Sequence, residues 1–298
     1  MDFVHEKAGE VPVAGEFDVI VAGSGPAGVS AALRAARAGA RTLLLEQGGC
    51  LGGMWTAGLL GWIHDHSGKS GLVAQLKREL LRRGAAEEPP CSPAFAFEPE
   101  AMKLLLEELC LESSVTIRLY TMAVDVLWNA SSGIDCLLTE SKSGREAWKA
   151  QIFIDATGDG DLAAMAGCPF EMGRESDGRV QSSSLTFQVS GVKAAEVPQT
   201  MPEMSAIWRS FPQQVPIDHM VIKYMPERNG LLDGIVNMTH IPDCNSLNPA
   251  DQVRIRREGT RQAFWILEFL QKHVPGFEHA YISATAEPVS YTHLTLPT

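Results

Sequence analysis

Long apolar runs are missing from this 298-residue chain. None reaches about 18 residues, so no transmembrane helix is expected. The opening MDFVHEKAGEVPVAGE has neither a basic segment nor an apolar one behind it, and does not read as a secretory signal. Basic residues are in deficit, with 25 Lys and Arg against 36 Asp and Glu, for a formal net charge of -11. Phosphate backbones are held by clustered Lys and Arg, so this balance argues against a nucleic-acid binder. Cysteines are few and scattered: Cys50, Cys91, Cys110, Cys136, Cys168 and Cys244 form no C-x-x-C pair. That spacing argues against a cysteine-ligated iron–sulfur cluster and is simplest in a cytoplasmic protein with reduced thiols. What is present is an ordinary globular composition, 45% hydrophobic and 20% charged, in a chain long enough for two domains.

Residues 1–16 read as a polar, flexible lead-in. FDVIVA (17–22) is a short apolar run rich in β-branched residues, the pattern of a buried strand. Residues 26–38, rich in Ala, Leu and Arg with Pro26 in the first turn, predict a helix that Gly39 stops. RTLLL (41–45) is the next apolar strand, which completes a βαβ unit. Residues 48–61 hold six glycines in fourteen positions, a loop whose backbone must approach something closely. Helices are expected at 70–84 and 99–112, with a break at EPPCSP (88–93). Strands are expected at 115–119 and 122–128, followed by a hairpin of 134–139 with 147–154 around Lys142-Ser143-Gly144. FIDATG (153–158) ends a strand in a glycine turn, and 161–167 is a short Ala-rich helix. Beyond residue 170 the pattern is α+β: strands at 183–192, 219–224 and 234–239, then a helix over 250–273.

The chemistry is carried by Gly23-Ser24-Gly25-Pro26-Ala27-Gly28. A bare G-x-G-x-x-G is weak evidence, but this one follows a strand, opens a helix, and has Glu46 at the end of the second strand, 18 residues past the last glycine. Gly23 makes the tight turn, Gly25 lets the backbone approach a pyrophosphate, and Gly28 lets helix and strand pack closely. The helix N-terminus offers N–H groups and a positive dipole end to phosphates. Glu46 can accept from ribose hydroxyls and disfavours a 2′-phosphate, which argues against NADP. No second G-x-G-x-x-G occurs, so no separate NAD(P)H domain is expected.

Three features favour FAD over NAD: the motif's early position, the glycine loop GCLGGMWT soon after Glu46, and the second turn 154–161 about 130 residues on. With DVIVAGSGPAG, LLLEQGGCLGGMWTAG, FEPEAMKLLLEEL, FIDATGDGDLAAMAG and VPGFEHAYI, the chain resembles the FAD-dependent oxidoreductases of the glutathione-reductase-like class, and among them the flavoproteins related to heterodisulfide reductase. The resemblance covers about residues 15–287. It implies that Gly23, Ser24, Gly25, Ala27, Gly28 and Glu46 contact the ADP part of FAD. It also implies that Gly52, Gly53 and Thr56 line the pyrophosphate and flavin side, that Ala123 lies near the adenine, and that Thr157, Gly158 and Asp159 close the pocket. The cysteine clusters that would ligate iron–sulfur centres in archaeal relatives are not found here. The ending VSYTHLTLPT (289–298) fits no helix or strand and reads as adapter read-through, so the chain is expected to be an N-terminal, C-terminally truncated fragment.

Other signals are weaker. His64-Asp65-His66 invites a metal reading but lacks a third ligand nearby, so no metal is expected. His64 is a weak candidate proton donor. Arg174 is a weak candidate clamp for an anionic substrate, against a surface ion pair with Glu171 or Glu175. Cys50 lacks the partner thiol that disulfide chemistry needs. Arg254, Arg256, Arg257 and Arg261 read as a solvated helix face.

The expected architecture is α/β: a Rossmann-type FAD-binding domain (17–169) with a parallel sheet plus β-hairpin or meander, a second α+β substrate domain (170–288) and a non-family tail (289–298). The expected function is two-electron redox chemistry on a small organic substrate, with an unknown electron donor or acceptor, no membrane partner, and homo-oligomerisation left open. Two alternatives stand beside it: an NAD-binding enzyme of thiazole-synthase type, and a non-catalytic dinucleotide-binding fragment.

Overall fold

The computed structural model describes residues 9–87, 94–129, 133–198, 200–212 and 215–287, and the backbone of 294–295. The break expected at EPPCSP (88–93), Cys91 with it, lies outside the described residues. In chain order the elements are β1 (Val13–Ala22), α1 (Pro26–Arg37), β2 (Thr42–Leu45), β3 (Trp62–His64), α2 (Leu72–Arg82), β4 (Ala94–Ala96), α3 (Pro99–Glu112), β5 (Thr116–Arg118), β6 (Met122–Asn129), β7 (Gly133–Ser141), β8 (Gly144–Asp155) and α4 (Asp161–Met165). There follow β9 (Glu171–Met172), β10 (Phe187–Lys193), α5 (Met201–Arg209), β11 (Ile222–Tyr224), β12 (Leu231–Val236), α6 (Pro249–His273), β13 (Tyr281–Thr285) and β14 (Leu294–Thr295).

The chain divides into two compact units. One takes the chain up to Gly49 and again from Cys110 to Pro169; the other takes Cys50 to Leu109 and the chain from Phe170 onward. Residues 50–109 thus group with the later chain and not with a continuous 17–169 domain. Their partners lie there: Gly61 packs under Ile235, and Glu98 pairs with Arg228.

The first unit is a six-stranded sheet in the order β5-β2-β1-β8-β7-β6. The first four strands are parallel, and β8, β7 and β6 continue as an antiparallel meander. β2 reads TLLL and is buried along its whole length, as a strand covered on both faces must be. Leu43, Leu44 and Leu45 are almost wholly buried, each contributing about 1.5–3 kcal/mol through burial. α1 lays Gly28, Val29, Ala32 and Leu33 inward at helical spacing. Pro26 fits its first turn, Arg34 and Arg37 stand at its negative C-terminal end, and Gly39 closes it at φ 94°. β1 starts at Val13, four residues into the expected lead-in, because Val13 pairs with Ala147 and Glu16 with Lys149 on β8. Pairing with a long neighbour extends a strand past the point where its own hydrophobicity stops.

The second unit is built on an antiparallel sheet, β11-β12-β10-β13. α5 and α6 pack on it, burying Trp208, Phe269, Phe187 and Phe277 in one core in which the Trp208 and Phe269 rings meet edge-on at 4.8 Å. α5 is an element the hydrophobic pattern leaves undetected. Its signal is the capping box Thr200-x-x-Glu203, with Thr200 Oγ1 accepting from the Glu203 N–H and Glu203 Oε2 accepting from the Thr200 N–H. In the tail, Leu294–Thr295 pairs with β9, where no strand was expected.

Candidate functional site

In the first unit, β1 and β8 run parallel and in register, Ala22 opposite Asp155, so the turns that leave their C-terminal ends lie side by side. Ligand sites of open α/β sheets form at such ends.

The β1–α1 turn uses its three glycines in three ways. Gly23 has φ 91°, and a Cβ there would stand 2.2 Å from the Ala156 carbonyl oxygen. A Cβ on Gly28 would stand 1.9 Å from the Gly23 carbonyl oxygen. Both glycines are therefore demanded by the protein's own packing. Gly25 differs: a Cβ there meets nothing within 4 Å, so this side of the turn faces open space. The N–H groups of Gly25, Ala27 and Gly28 find no acceptor among the described residues, and α1 has no side-chain N-cap. Three unspent donors at the positive end of a twelve-residue helix suit an anion.

Glu46 follows β2 and is anchored from both sides. Its Oε2 accepts from the Ser24 N–H (3.0 Å) and hydroxyl (2.6 Å), and its Oε1 accepts from the Gly48 N–H (2.6 Å). A carboxylate offers about four lone-pair sites. Three are filled, which leaves Oε1 one acceptance for a hydroxyl. Ser24 is fully buried and both its donors go to Glu46, so it acts by orienting that carboxylate. The backbone of Glu46 is tied in as well, its N–H to Arg118 O (2.9 Å) and its carbonyl to the Thr121 N–H (2.9 Å). Two residues past Thr121, Ala123 sits on the edge strand β6 and packs partly buried against the core beneath the sheet.

The β8–α4 turn is organised by Asp155, a residue to which sequence reasoning assigned no role. Asp155 Oδ1 accepts from the Thr157 N–H (3.0 Å) and hydroxyl (2.8 Å), and Oδ2 accepts from the Ala163 N–H (2.7 Å). Thr157 Oγ1 in turn accepts from the Asp161 N–H (2.9 Å). The available signal was the position, a carboxylate at the last residue of a strand followed by Thr two residues on, which is the Asx-turn pattern. Gly158 has φ 91° and open space where a Cβ would be. The N–H groups of Gly158 and Gly160 find no acceptor among the described residues. Burial, helped by the charges of Asp159 and Asp155, raises the Asp161 carboxyl above its ordinary value.

The other sequence-named residues lie in the second unit. Gly52 (φ 103°) is packed, its missing Cβ replaced by Thr56 and Leu106 atoms within 2.6–2.8 Å, and Gly53 opens a short 3-10 turn. Thr56 is fully buried and donates its hydroxyl to Leu51 O (2.6 Å), so it holds the loop's shape from inside. His64 and His66 part company. His64 Nε2 accepts from Trp62 Nε1 (2.8 Å), while His66 is buried beside Phe95 with Lys77 Nζ 2.9 Å from its Nδ1. Arg174 is exposed and grips Asp177, with Nε to Oδ1 at 2.9 Å; its partner is neither Glu171 nor Glu175. Asp177 lies three residues on in the same tight turn, within reach of a guanidinium fork. Arg254 and Arg256 bond to backbone carbonyls of Asp243 and Ala286, and Arg261 pairs with Glu258. No helix among the described residues is long and apolar enough to cross a membrane.

A parallel sheet with a glycine turn, a helix N-terminus with free donors and an anchored acid on the second strand defines a dinucleotide-binding protein. The chain belongs to the FAD dependent oxidoreductase family, whose model matches residues 18–291, and its cofactor is FAD. Among solved structures it is similar to a geranylgeranyl bacteriochlorophyll reductase-like protein from Thermoplasma acidophilum (15% identity, 93% of this chain and 66% of that one, TM-score 0.59). It is also similar to p-nitrophenol 4-monooxygenase from Pseudomonas putida (14% identity, 94% and 69%, TM-score 0.58) and to the myxobacterial chondrochloren halogenase (16% identity, 93% and 64%, TM-score 0.55). At such identities the likeness is one of fold. A stretch of 42 residues is 60% identical to the thiamine thiazole synthase of Aeropyrum pernix, over 14% of this chain and 16% of that protein. The chain thus spans about two thirds of the length of these three solved structures and about a sixth of that curated relative.

Proposed function

We propose that the chain works as an FAD-dependent oxidoreductase that carries out a two-electron oxidation or reduction of a small organic substrate, with the ADP half of FAD held on the first unit. The observation that carries this reading is the pair of neighbouring turns whose N–H groups are unspent, beside an anchored Glu46 with one acceptance left. Gly25, Ala27 and Gly28 donate to the pyrophosphate, and Glu46 Oε1 accepts from a ribose hydroxyl. Ser24 sets the carboxylate's angle, Ala123 flanks the adenine, and Thr157, Gly158 and Asp159 close the pocket. Electron transfer is the chemistry FAD supplies when bound; the protein contributes position and local dipoles. In this reading the first unit serves the cofactor and the second, residues 50–109 together with the chain from Phe170, serves the substrate.

His64 and Arg174 are weak candidates for substrate chemistry. His64 is exposed and uses Nε2 as an acceptor, which leaves Nδ1 as the nitrogen that carries a proton. Arg174 would have to leave Asp177 to bind a substrate anion.

The test is the visible absorption spectrum of the purified chain and of the apoprotein reconstituted with FAD. Flavin bands that bleach on dithionite support the reading. A chain that takes up no flavin and instead retains an NAD-derived product refutes it and favours the thiazole-synthase alternative. A chain that binds flavin but passes electrons to no acceptor is a binding module only.

A further inference from the structure

We propose that Asp155 is a positioning residue for the cofactor, acting through the β8–α4 turn that it clamps. This rests on the reading of the first unit as the FAD site. α4 has five residues, too few to persist on local propensity alone, and its N-cap residue Gly160 has no side chain to offer. The caps come instead from the end of β8. Thr157 Oγ1 takes the first N–H of the helix, at Asp161, and Asp155 Oδ2 takes the third, at Ala163. Asp155 Oδ1 takes both donors of Thr157, so one carboxylate fixes the strand end, the turn and the helix start together. Its charge is spent on three donors of its own turn and helix.

The clamp reaches the first glycine turn by backbone contact. The Ala156 N–H donates to Ala22 O (2.7 Å). The Ala156 carbonyl oxygen fills the space where a Gly23 Cβ would be, and its methyl stands 3.2 Å from where a Gly28 Cβ would be. Ala156 lies between Asp155 and Thr157, so it moves if the clamp fails. The Gly158 and Gly160 donors move with it. Asp155 therefore sets the spacing between two sets of N–H donors without touching the cofactor.

The experiment measures FAD dissociation constants by flavin fluorescence for the wild type, Asp155→Asn, Thr157→Val and Thr157→Ser, with far-UV circular dichroism of each apoprotein. Asp155→Asn keeps the size but presents a donor to a donor. Thr157→Ser keeps the hydroxyl relay, and Thr157→Val removes it at nearly constant volume. The expected result is FAD binding weakened at least tenfold in Asp155→Asn and Thr157→Val, with Thr157→Ser close to wild type. Should Asp155→Asn not fold, the Thr157 pair decides. Equal FAD affinity in all four proteins overturns the role of Asp155 and leaves the FAD site standing. Loss in Thr157→Ser as large as in Thr157→Val overturns it too, since the hydroxyl would not be the carrier. A wild type that binds no FAD overturns both.

Discussion

Gly25→Ala separates what the cofactor needs from what the fold needs. The residue has φ -60°, a value any amino acid adopts, and its missing Cβ borders open space. The apoprotein should accept the methyl without strain. Losing a glycine also narrows the unfolded ensemble, which is worth about 0.4–1 kcal/mol of stability. That corresponds to a rise of about 1–4 °C in the melting temperature. With FAD held as proposed, the same methyl would crowd a phosphate bound to the N–H groups of Gly25, Ala27 and Gly28. A phosphate oxygen within hydrogen-bond reach of these donors must retreat. Losing two bonds to a charged group, at about 1.5–3 kcal/mol each, weakens FAD binding by about 3–6 kcal/mol. On the scale of 1.4 kcal/mol per decade that is on the order of 10² to 10⁴ in dissociation constant. Gly28→Ala should behave in the opposite way. Its Cβ would lie 1.9 Å from a backbone oxygen, so the apoprotein itself should lose stability. Calorimetric melts of the apoproteins and fluorescence titration with FAD measure both effects. A Gly25→Ala protein that binds FAD like the wild type, or that melts well below it as an apoprotein, refutes the assignment of this turn.

Glu46→Gln loses an acceptor and places an amide N–H₂ against the Gly48 or Ser24 donors; the expected cost is about 1–3 kcal/mol of stability in chemical denaturation, together with weaker FAD binding. Asp161→Asn should stabilise the protein at neutral pH, because burial and the neighbouring Asp159 and Asp155 raise the carboxyl of Asp161. With a raised folded value the native state holds the proton more tightly, so stability falls as pH climbs through the window above the ordinary 3.8. The advantage of the Asn variant should vanish below that window, and a flat difference across pH would count against the cause given. Asp177 is held down to about 2 by its hydrogen bonds from Arg174 and from the Arg179 N–H. Its contribution is present above the ordinary 3.8 and is lost as pH falls toward 2. In Arg174→Ala the Asp177 carboxyl should titrate closer to the ordinary value, read by carboxyl-carbon NMR, with FAD affinity unchanged.

How much of this was legible in advance depended on range. The βαβ unit was legible because its signals are local: an apolar strand, three glycines, Pro26 at a helix start and a lone acid at the end of β2. The hairpin at Lys142-Ser143 was legible from its turn residues. α5 was missed because its hydrophobic pattern is broken, although its capping box is written at Thr200 and Glu203. The pairing of Trp62–His64 with Ala94–Ala96 was missed because two short strands about thirty residues apart in sequence carry no local signal of partnership. Arg174 could be read as an ion-pair residue, but the choice of Asp177 over two nearer or equally near glutamates is made by the fold of the turn.

The sequence by itself determined the βαβ class of fold and the need for glycine at the β1–α1 turn, since both rest on backbone sterics and on residues within about twenty positions of one another; the cofactor type needed one signal more, the glycine turn at 154–161 far along the chain. Tertiary structure alone decided which atoms enforce those glycines, the Ala156 carbonyl oxygen at Gly23 and the Gly23 carbonyl oxygen at Gly28, because that depends on where these oxygens lie in space. It likewise decided that the hydroxyls of Ser24 and Thr56 turn inward, and that Asp155 binds both its own turn and the start of α4. A hydrogen bond has one acceptor at one angle, and the register of β1 against β8, across more than a hundred residues of chain, is what brings donor and acceptor together.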